Sequence, residues 1–210
     1  MPSKKKEKSI MAKYTGAKCR LCRREGEKLF LKGSRCYSEK CSITKRNQVP
    51  GQHGKTGFGF ASDYSKHLRE KQKTKRIYGL LEAQFRRYFQ KASKVKGVTG
   101  QVLLQMLETR LDSALNRAGA ASSMSMARQM VRQNKIRVND SPVNIPSYQL
   151  SAGDVITVED IKSKTSEDGK LPEWLGWDAK TKGIKIERLP ERDEISYDIN
   201  EQLIVEFYSR

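Results

Sequence analysis

The chain has 210 residues, 36% of them hydrophobic, and carries a formal charge of +18 with an isoelectric point near 9.8. That apolar content supports one or two modest cores and no single large one, and the charge points to a polyanionic partner. No apolar run approaches the roughly 20 residues a bilayer-spanning helix needs, and no apolar stretch follows the opening lysines, so neither a membrane span nor a secretory signal is expected. The charge is unevenly spread. Residues 1–96 hold 27 lysines and arginines against 7 acids, residues 97–160 hold 6 of each, and residues 161–210 hold 9 against 11.

Residues 1–10 read as a basic disordered tail, with Met11 an equally good start. Residues 11–48 contain all four cysteines, as Cys19-x2-Cys22 and Cys36-x4-Cys41. In a cytoplasmic, reducing setting two close pairs are expected to converge on one tetrahedral metal ion rather than to form disulfides. Zinc is the first choice and a 4Fe-4S cluster the alternative, since four thiolates suit both. With protein in every coordination position the site would be structural. Arg20, Arg23 and Arg24 beside the first pair stabilise thiolates and belong with the cations expected to meet RNA.

Residues 49–97 form a basic, mostly helical domain in this reading. It opens on Pro50-Gly-Gln52-His53-Gly, an extended segment whose backbone can approach RNA closely and whose Gln52 and His53 can contact a nucleotide. Asp63 can cap the next helix. From Lys66 to Arg76 that helix sets Lys66, Arg69, Lys71, Lys73, Lys75 and Arg76 against Glu70 alone. Such repulsion must be relieved by something anionic, and RNA is the expected partner. Leu81, Phe85 and Phe89 then make a core stripe, with Arg87 off it.

Gly97 and Gly100 mark the start of a second domain over residues 98–186. One helix is predicted over 102–118, capped by Gly119, and a second after the serines at 122, 123 and 125, ending near Asn134. Ile136–Asn139 alternates as a strand with a turn behind it. Arg110, Arg117, Ser123, Arg128, Arg132, Lys135 and Arg137 on this scaffold are expected to grip a phosphate backbone. Short strands follow at 143–145, 148–150, 155–158 and 183–187, with a polar loop at 162–170 and Trp174 and Trp177 as packing anchors. Residues 187–210 end in a stretch compatible with helix or strand, taken here as helix. Its acids would repel phosphate and suit a basic protein neighbour.

The run E-T-R-L-D…N-R…S-S…M-A-R-Q-M-V-R-Q-N-K-I-R-V-N-D resembles the S-four RNA-binding module, which also occurs in some pseudouridine synthases and tyrosyl-tRNA synthetases. C-R-L-C-R-R-E-G, the second cysteine pair, P-G-Q-H-G, D-Y-x-x-x-L-R-E-K-Q-K, R-I-Y-G and N-E-Q-L-I-V-E-F-Y-S-R extend the resemblance, from Met11 onward, to the bacterial small-subunit ribosomal protein four family. The residues before Met11 lie outside that pattern, and Met126 and Asn134 stand where relatives often carry Glu or Gly.

The resemblance implies an α+β protein: a mostly helical RNA-binding domain with an N-terminal Cys-four knuckle and an inserted helix-turn-helix plus antiparallel-sheet module. The closing segment would return to the helical domain. It further implies early assembly of the five-prime domain of small-subunit rRNA, contact with small-subunit protein five, a part in translational accuracy, and in some members repression through messenger RNA. No small-molecule substrate, membrane partner or catalysis is implied. An RNA-modifying enzyme with the same module would need a second domain bearing a catalytic carboxylate or nucleophile, and a zinc-ribbon DNA regulator would lack the 108–139 module.

Overall fold

The computed structural model describes residues 13–52, 54, 62–158, 171–178, 181 and 183–209. The basic tail, His53 and the polar loop at 162–170 lie outside them.

The N-terminal knuckle contains three short helices: α1 (Lys18–Glu25), α2 (Ser34–Tyr37) and α3 (Ser42–Lys45). α1 stops at Gly26, whose φ of 78° suits a residue without Cβ. Next come α4 (Asp63–Ile77), α5 (Glu82–Ala92) and α6 (Thr99–Glu108). α4 is capped by Ser62, whose hydroxyl accepts from Ser65 N at 3.3 Å; Asp63, the expected cap, is instead the first helical residue. There its carboxylate favours the positive end of the helix dipole.

The helix predicted over 102–118 is two helices, α6 and α7 (Leu111–Arg117). The break has a clear cause. Arg110 takes an extended conformation with ψ 142°, and residues 148–150 return to capture the backbone there. Leu111 N donates to Tyr148 O, and Leu150 N to Thr109 O, both at 2.9 Å. Residues 148–150 therefore bridge to the helix break instead of forming the strand expected of them.

After α8 (Met124–Arg132) the chain turns through Asn134 at φ 58°, as the tolerance of asparagine for that region predicts. It then builds a five-stranded antiparallel sheet in the order β2-β1-β3-β5-β4. The strands are β1 (Ile136–Val138), β2 (Ser141–Pro142), β3 (Val155–Val158), β4 (Leu175–Asp178) and β5 (Gly183–Ile186). Pairing begins at 141–142 rather than at 143–145, because Asn139 and Asp140, both left-handed, reverse the chain at once. Trp174 is the packing anchor expected, at 1% exposed. Trp177, near the end of β4, is instead 42% exposed.

Two cores result. One gathers Leu111, Leu115, Ala127 and Val131 of α7 and α8 against Ile136, Ile156, Ile184 and Ile186 of the sheet. The other joins Leu29 and Leu31 of the knuckle to Phe85, to Leu103, Leu104 and Leu107 of α6, and to Ile199 and Ile204. The packing thus divides between Glu108 and Leu111 rather than at Gly97, because α6 buries its leucines with α5. Ile204 lies in α9 (Glu201–Ser209), the closing helix, which packs on α4 and α6. Its Phe207 and Tyr208 rings face Tyr64, Phe85 and Phe89.

Candidate nucleic-acid interface

α4 does not carry the surplus of charge that its sequence suggests. Lys71 and Lys75 both donate to Glu82 at 2.8 Å, and Lys73 meets Glu27 at 2.8 Å and Glu70 at 3.8 Å. Arg69 and Arg76 converge on Glu25, whose side chain is 2% exposed. The relieving anions are mostly acids off the helix: Glu25 on α1 and Glu27 in the loop behind it, distant in sequence, and Glu82 at the start of α5. Lys71 and Lys73 are buried; the Lys71 ammonium also sits 4.6 Å from the Phe207 ring centre. Of the expected cations here, Lys66 is exposed, paired with Asp63 at 3.0 Å. Lys73→Met is expected to lower unfolding free energy by about 1–3 kcal/mol while leaving the salt dependence of RNA binding unchanged, a pair of results that thermal melts and filter binding can check.

Glu82 has an acid-sensitive signature. Burial alone would raise its carboxyl, but hydrogen bonds from Lys71, Lys75 and Tyr208 outweigh that and lower it to about 2. A depressed carboxylate stabilises the fold above its unfolded value of 4.5, and the contribution fades as pH falls toward about 2. The stability gap between wild type and Glu82→Gln should therefore be steady above pH 4.5 and close on acidification in urea melts. Because the side chain is 46% exposed, solvent screening keeps the effect small.

At the seam between the cores, Arg110 is 1% exposed and forks onto Asp112, with Nε to Oδ1 at 3.0 Å and Nη2 to Oδ2 at 2.8 Å; Nη1 donates to Tyr88 Oη at 2.8 Å. Arg117 forks onto buried Glu108, donates to Ser196 Oγ at 2.8 Å and lies over the Tyr197 ring. Tyr78 Oη donates to the same carboxylate at 2.7 Å. Burial alone would lower Arg117, but Glu108 holds it well above the ordinary guanidinium value.

Lys71, Lys73, Arg110 and Arg117 are therefore fold-holding cations rather than an open phosphate grip, since each is withdrawn from solvent and matched to a carboxylate. Ser123, read both as a cap and as an RNA contact, is the cap of α8, accepting from Met126 N at 3.4 Å. Arg128, half-buried, reaches to 4.0 Å from Asp112.

What faces outward is a different set. Arg132 at the end of α8 and Arg137 on β1 are exposed, with Lys135 half-buried between them. The left-handed turn at Asn134 brings the helix end and the strand together so that the three share one end of the module. Arg20 and Arg24 on α1, Gln52, and Arg87 on α5 are exposed, whereas Arg23 is half-buried and donates to Gln48 O at 2.8 Å. Lys18, which the sequence places with the arginines beside the first cysteine pair, donates to Ser125 Oγ and ties the knuckle to α8. Its distance in sequence from Ser125 hid the pairing. Gly33 makes the same junction: at φ 60° its backbone lies so close to Ser122 O that a Cβ would come within 2.6 Å.

The four cysteines are unpaired and line one cavity of about 20 Å³ with Lys32 and Arg35. Three of them are buried. Burial pushes the Cys22 thiol up. At Cys41 burial acts the same way but is outweighed by backbone donors of Ile43 and Thr44 and by Lys28, which together hold the thiol below its usual value. Among the described residues no group of three or more His, Cys, Asp or Glu side chains has the geometry of a metal site. The donor chemistry suits a thiophilic ion, and the shared cavity is where it would sit. Among the described residues, too, no helix is long and apolar enough to cross a membrane.

A cation-tipped helix pair with a short antiparallel sheet, braced against a basic helical unit, defines a bipartite protein of the S4-domain class. Residues 13–108 match the model of the ribosomal protein S4/S9 N-terminal domain and residues 109–156 that of the S4 domain. The chain is 54% identical over 207 residues to small ribosomal subunit protein uS4 of Dictyoglomus turgidum, covering 95% of this chain and all of that protein. It is 50% identical to the uS4 proteins of Natranaerobius thermophilus and Acidithiobacillus ferrooxidans, with the same coverage. The chain belongs to the uS4 family of small ribosomal subunit proteins.

Proposed function

We propose that this protein is a structural constituent of the small ribosomal subunit that binds the subunit's rRNA directly. It is not an enzyme. The observation that carries the reading is the whole-length match: the uS4 relatives are covered from end to end at 50–54% identity, through the knuckle, both cores and the closing helix. Binding of this kind needs no reacting group. Lys and Arg displace counterions from the phosphates, and guanidinium forks and backbone amides fit the shape of folded RNA.

Within that role the protein nucleates assembly of the five-prime domain at a multi-helix junction and contributes to translational accuracy. Its two-part build supports this, because cations presented on α1, α5 and the tip of the S4 domain can engage several helices at once. The exposed acids Glu187, Glu191, Asp193 and Asp198 support a basic protein neighbour, small-subunit protein five, on the opposite kind of surface. Messenger RNA is a further ligand of the same cationic face. Hydroxyl-radical footprinting on small-subunit rRNA, with competitor tRNA present, tests the reading. Compact protection at one junction that survives the competitor is the expected result, and diffuse protection swept away by tRNA would overturn it.

Cys19, Cys22, Cys36 and Cys41 hold a zinc ion in this reading, with a 4Fe-4S cluster the alternative. When bound, the ion supplies no reactivity; it cross-links the two ends of the knuckle. The shared cavity and the all-sulfur donor set support it. Elemental analysis of purified protein should find one metal per chain, zinc in excess of iron, and Cys22→Ser should lose the metal and unfold the knuckle at lower temperature. Full stability in strong chelator, with no metal found, would count against the site.

A further inference from the structure

A cavity of about 210 Å³ opens where the knuckle, the α4–α5 turn and α8 meet. Its walls are mixed in a particular way. Leu21, Leu31, Ile77 and Leu80 supply apolar surface, while Lys13, Lys18 and Arg128 supply cations, Lys75 and Arg76 in the same lining being already paired with Glu82 and Glu25. The one acid in the lining, Asp112, is already held by the Arg110 fork. Tyr14 forms part of the wall and is 43% exposed, an aromatic face open to a partner. Gly16 lets that ring fold back, since a Cβ there would come within 2.5 Å of the phenol oxygen.

This volume lies below the about 300 Å³ at which sites for drug-sized ligands begin and suits a single flat ring system. An apolar slot, an aromatic wall and a cationic rim are together the requirements of one nucleotide whose base has left its stack. The Lys18 ammonium lies in the wall, with described contacts to Ser125 Oγ and Leu31 O, leaving one of its three donors for a base edge or a phosphate.

We propose that this cavity receives one unstacked base of the bound rRNA, stacked on Tyr14, with its phosphates on Lys13 and the neighbouring cations. The proposal rests on the rRNA-binding reading above and names a subsite within it. The base would touch the knuckle, the helical core and the S4 domain together, so its arrival would hold the three parts in one arrangement.

The test uses the full chain and a transcript of the five-prime domain of small-subunit rRNA, with affinity measured across a salt series. Tyr14→Ala is expected to weaken binding about 5- to 150-fold, the usual range for removing one stacking partner. The salt slope should not change, because no phosphate contact is lost. Tyr14→Phe should bind like the parent. Ser125→Tyr, which plugs the cavity from α8, should weaken binding as Tyr14→Ala does, with circular dichroism confirming that it folds. Affinity within twofold of the parent for both Tyr14→Ala and Ser125→Tyr would overturn the subsite while leaving rRNA binding intact. A parent protein that fails to prefer the transcript over tRNA would instead remove the reading on which the subsite depends. Free adenosine and uridine monophosphate form the last arm: saturable, Tyr14-dependent binding below millimolar concentration would assign the cavity to a free nucleotide and overturn the proposal.

Discussion

Replacing Arg110 with alanine is expected to cost about 3–5 kcal/mol of stability, because a buried carboxylate loses its partner. Asp112 is 1% exposed and would keep only Arg128, at 4.0 Å, as a counter-charge. Burial already raises the Asp112 carboxyl above its usual value, with Arg110 the main opposing influence. Without that influence the carboxyl rises further and takes up a proton at a higher pH. A carboxyl whose folded pKa is raised penalises the native state at high pH, and the penalty disappears as pH falls below the unfolded value. The variant should therefore be least stable relative to wild type at neutral pH and recover part of the loss toward pH 4. Chemical denaturation at several pH values reads this directly. A pH-independent loss would mean that Tyr88 and the packing of the guanidinium, not the ion pair, carry the effect.

The double variant Arg132→Ala/Arg137→Ala should behave in the opposite way, folding normally and losing RNA. Both side chains are exposed at one end of the S4 domain, so neither removes core packing. If each neutralises one phosphate, the slope of log affinity against log salt falls by about 2, one unit per contact. The loss of affinity should be largest at low salt and shrink as salt rises. Filter binding from low to moderate salt separates this from a misfolded protein, which would lose binding at every salt concentration. An unchanged slope would show that these two arginines do not touch phosphates.

Most periodic apolar positions were legible in the sequence because local spacing encodes them: Phe85, Leu104, Leu111, Leu115, Val131, Ile136 and Ile156 are all buried. Leu81, read into the stripe of Phe85, instead precedes α5 as its cap and is exposed. The turns were legible too, since Asn134 and Asn139 have the φ values their side chains tolerate. What could not be read was who answers whom. Lys73 looks like a phosphate ligand until Glu27 arrives beside it, and Arg110 looks the same until Asp112 and Tyr88 close around it. Charge counted along α4 misses the acids that α1, the loop behind it and α5 supply. At the α6–α7 seam the acids Glu108 and Asp112 are local, and what the sequence could not show is that they are buried against Arg117 and Arg110. The break at Thr109 escaped because the groups that cause it belong to residues 148–150. The cavity beside Tyr14 is the extreme case, being assembled from three separate parts of the chain.

The closing helix has a consequence for the order of events at synthesis. α9 supplies Ile204 to the core of the helical, N-terminal part, the first to be made, and pairs with α4 through His67 and Glu206 at 2.7 Å, although the S4 domain stands between them in sequence. A ribosome making this chain therefore releases an incomplete first core, then a whole S4 domain, and only then the helix that closes what came first. At about 5–20 residues per second, the basic α4 and the aromatic stripe of α5 wait on the order of ten seconds for their cover. The later-encoded domain can finish folding first, and the protein becomes competent as a whole only when its last turn of helix emerges.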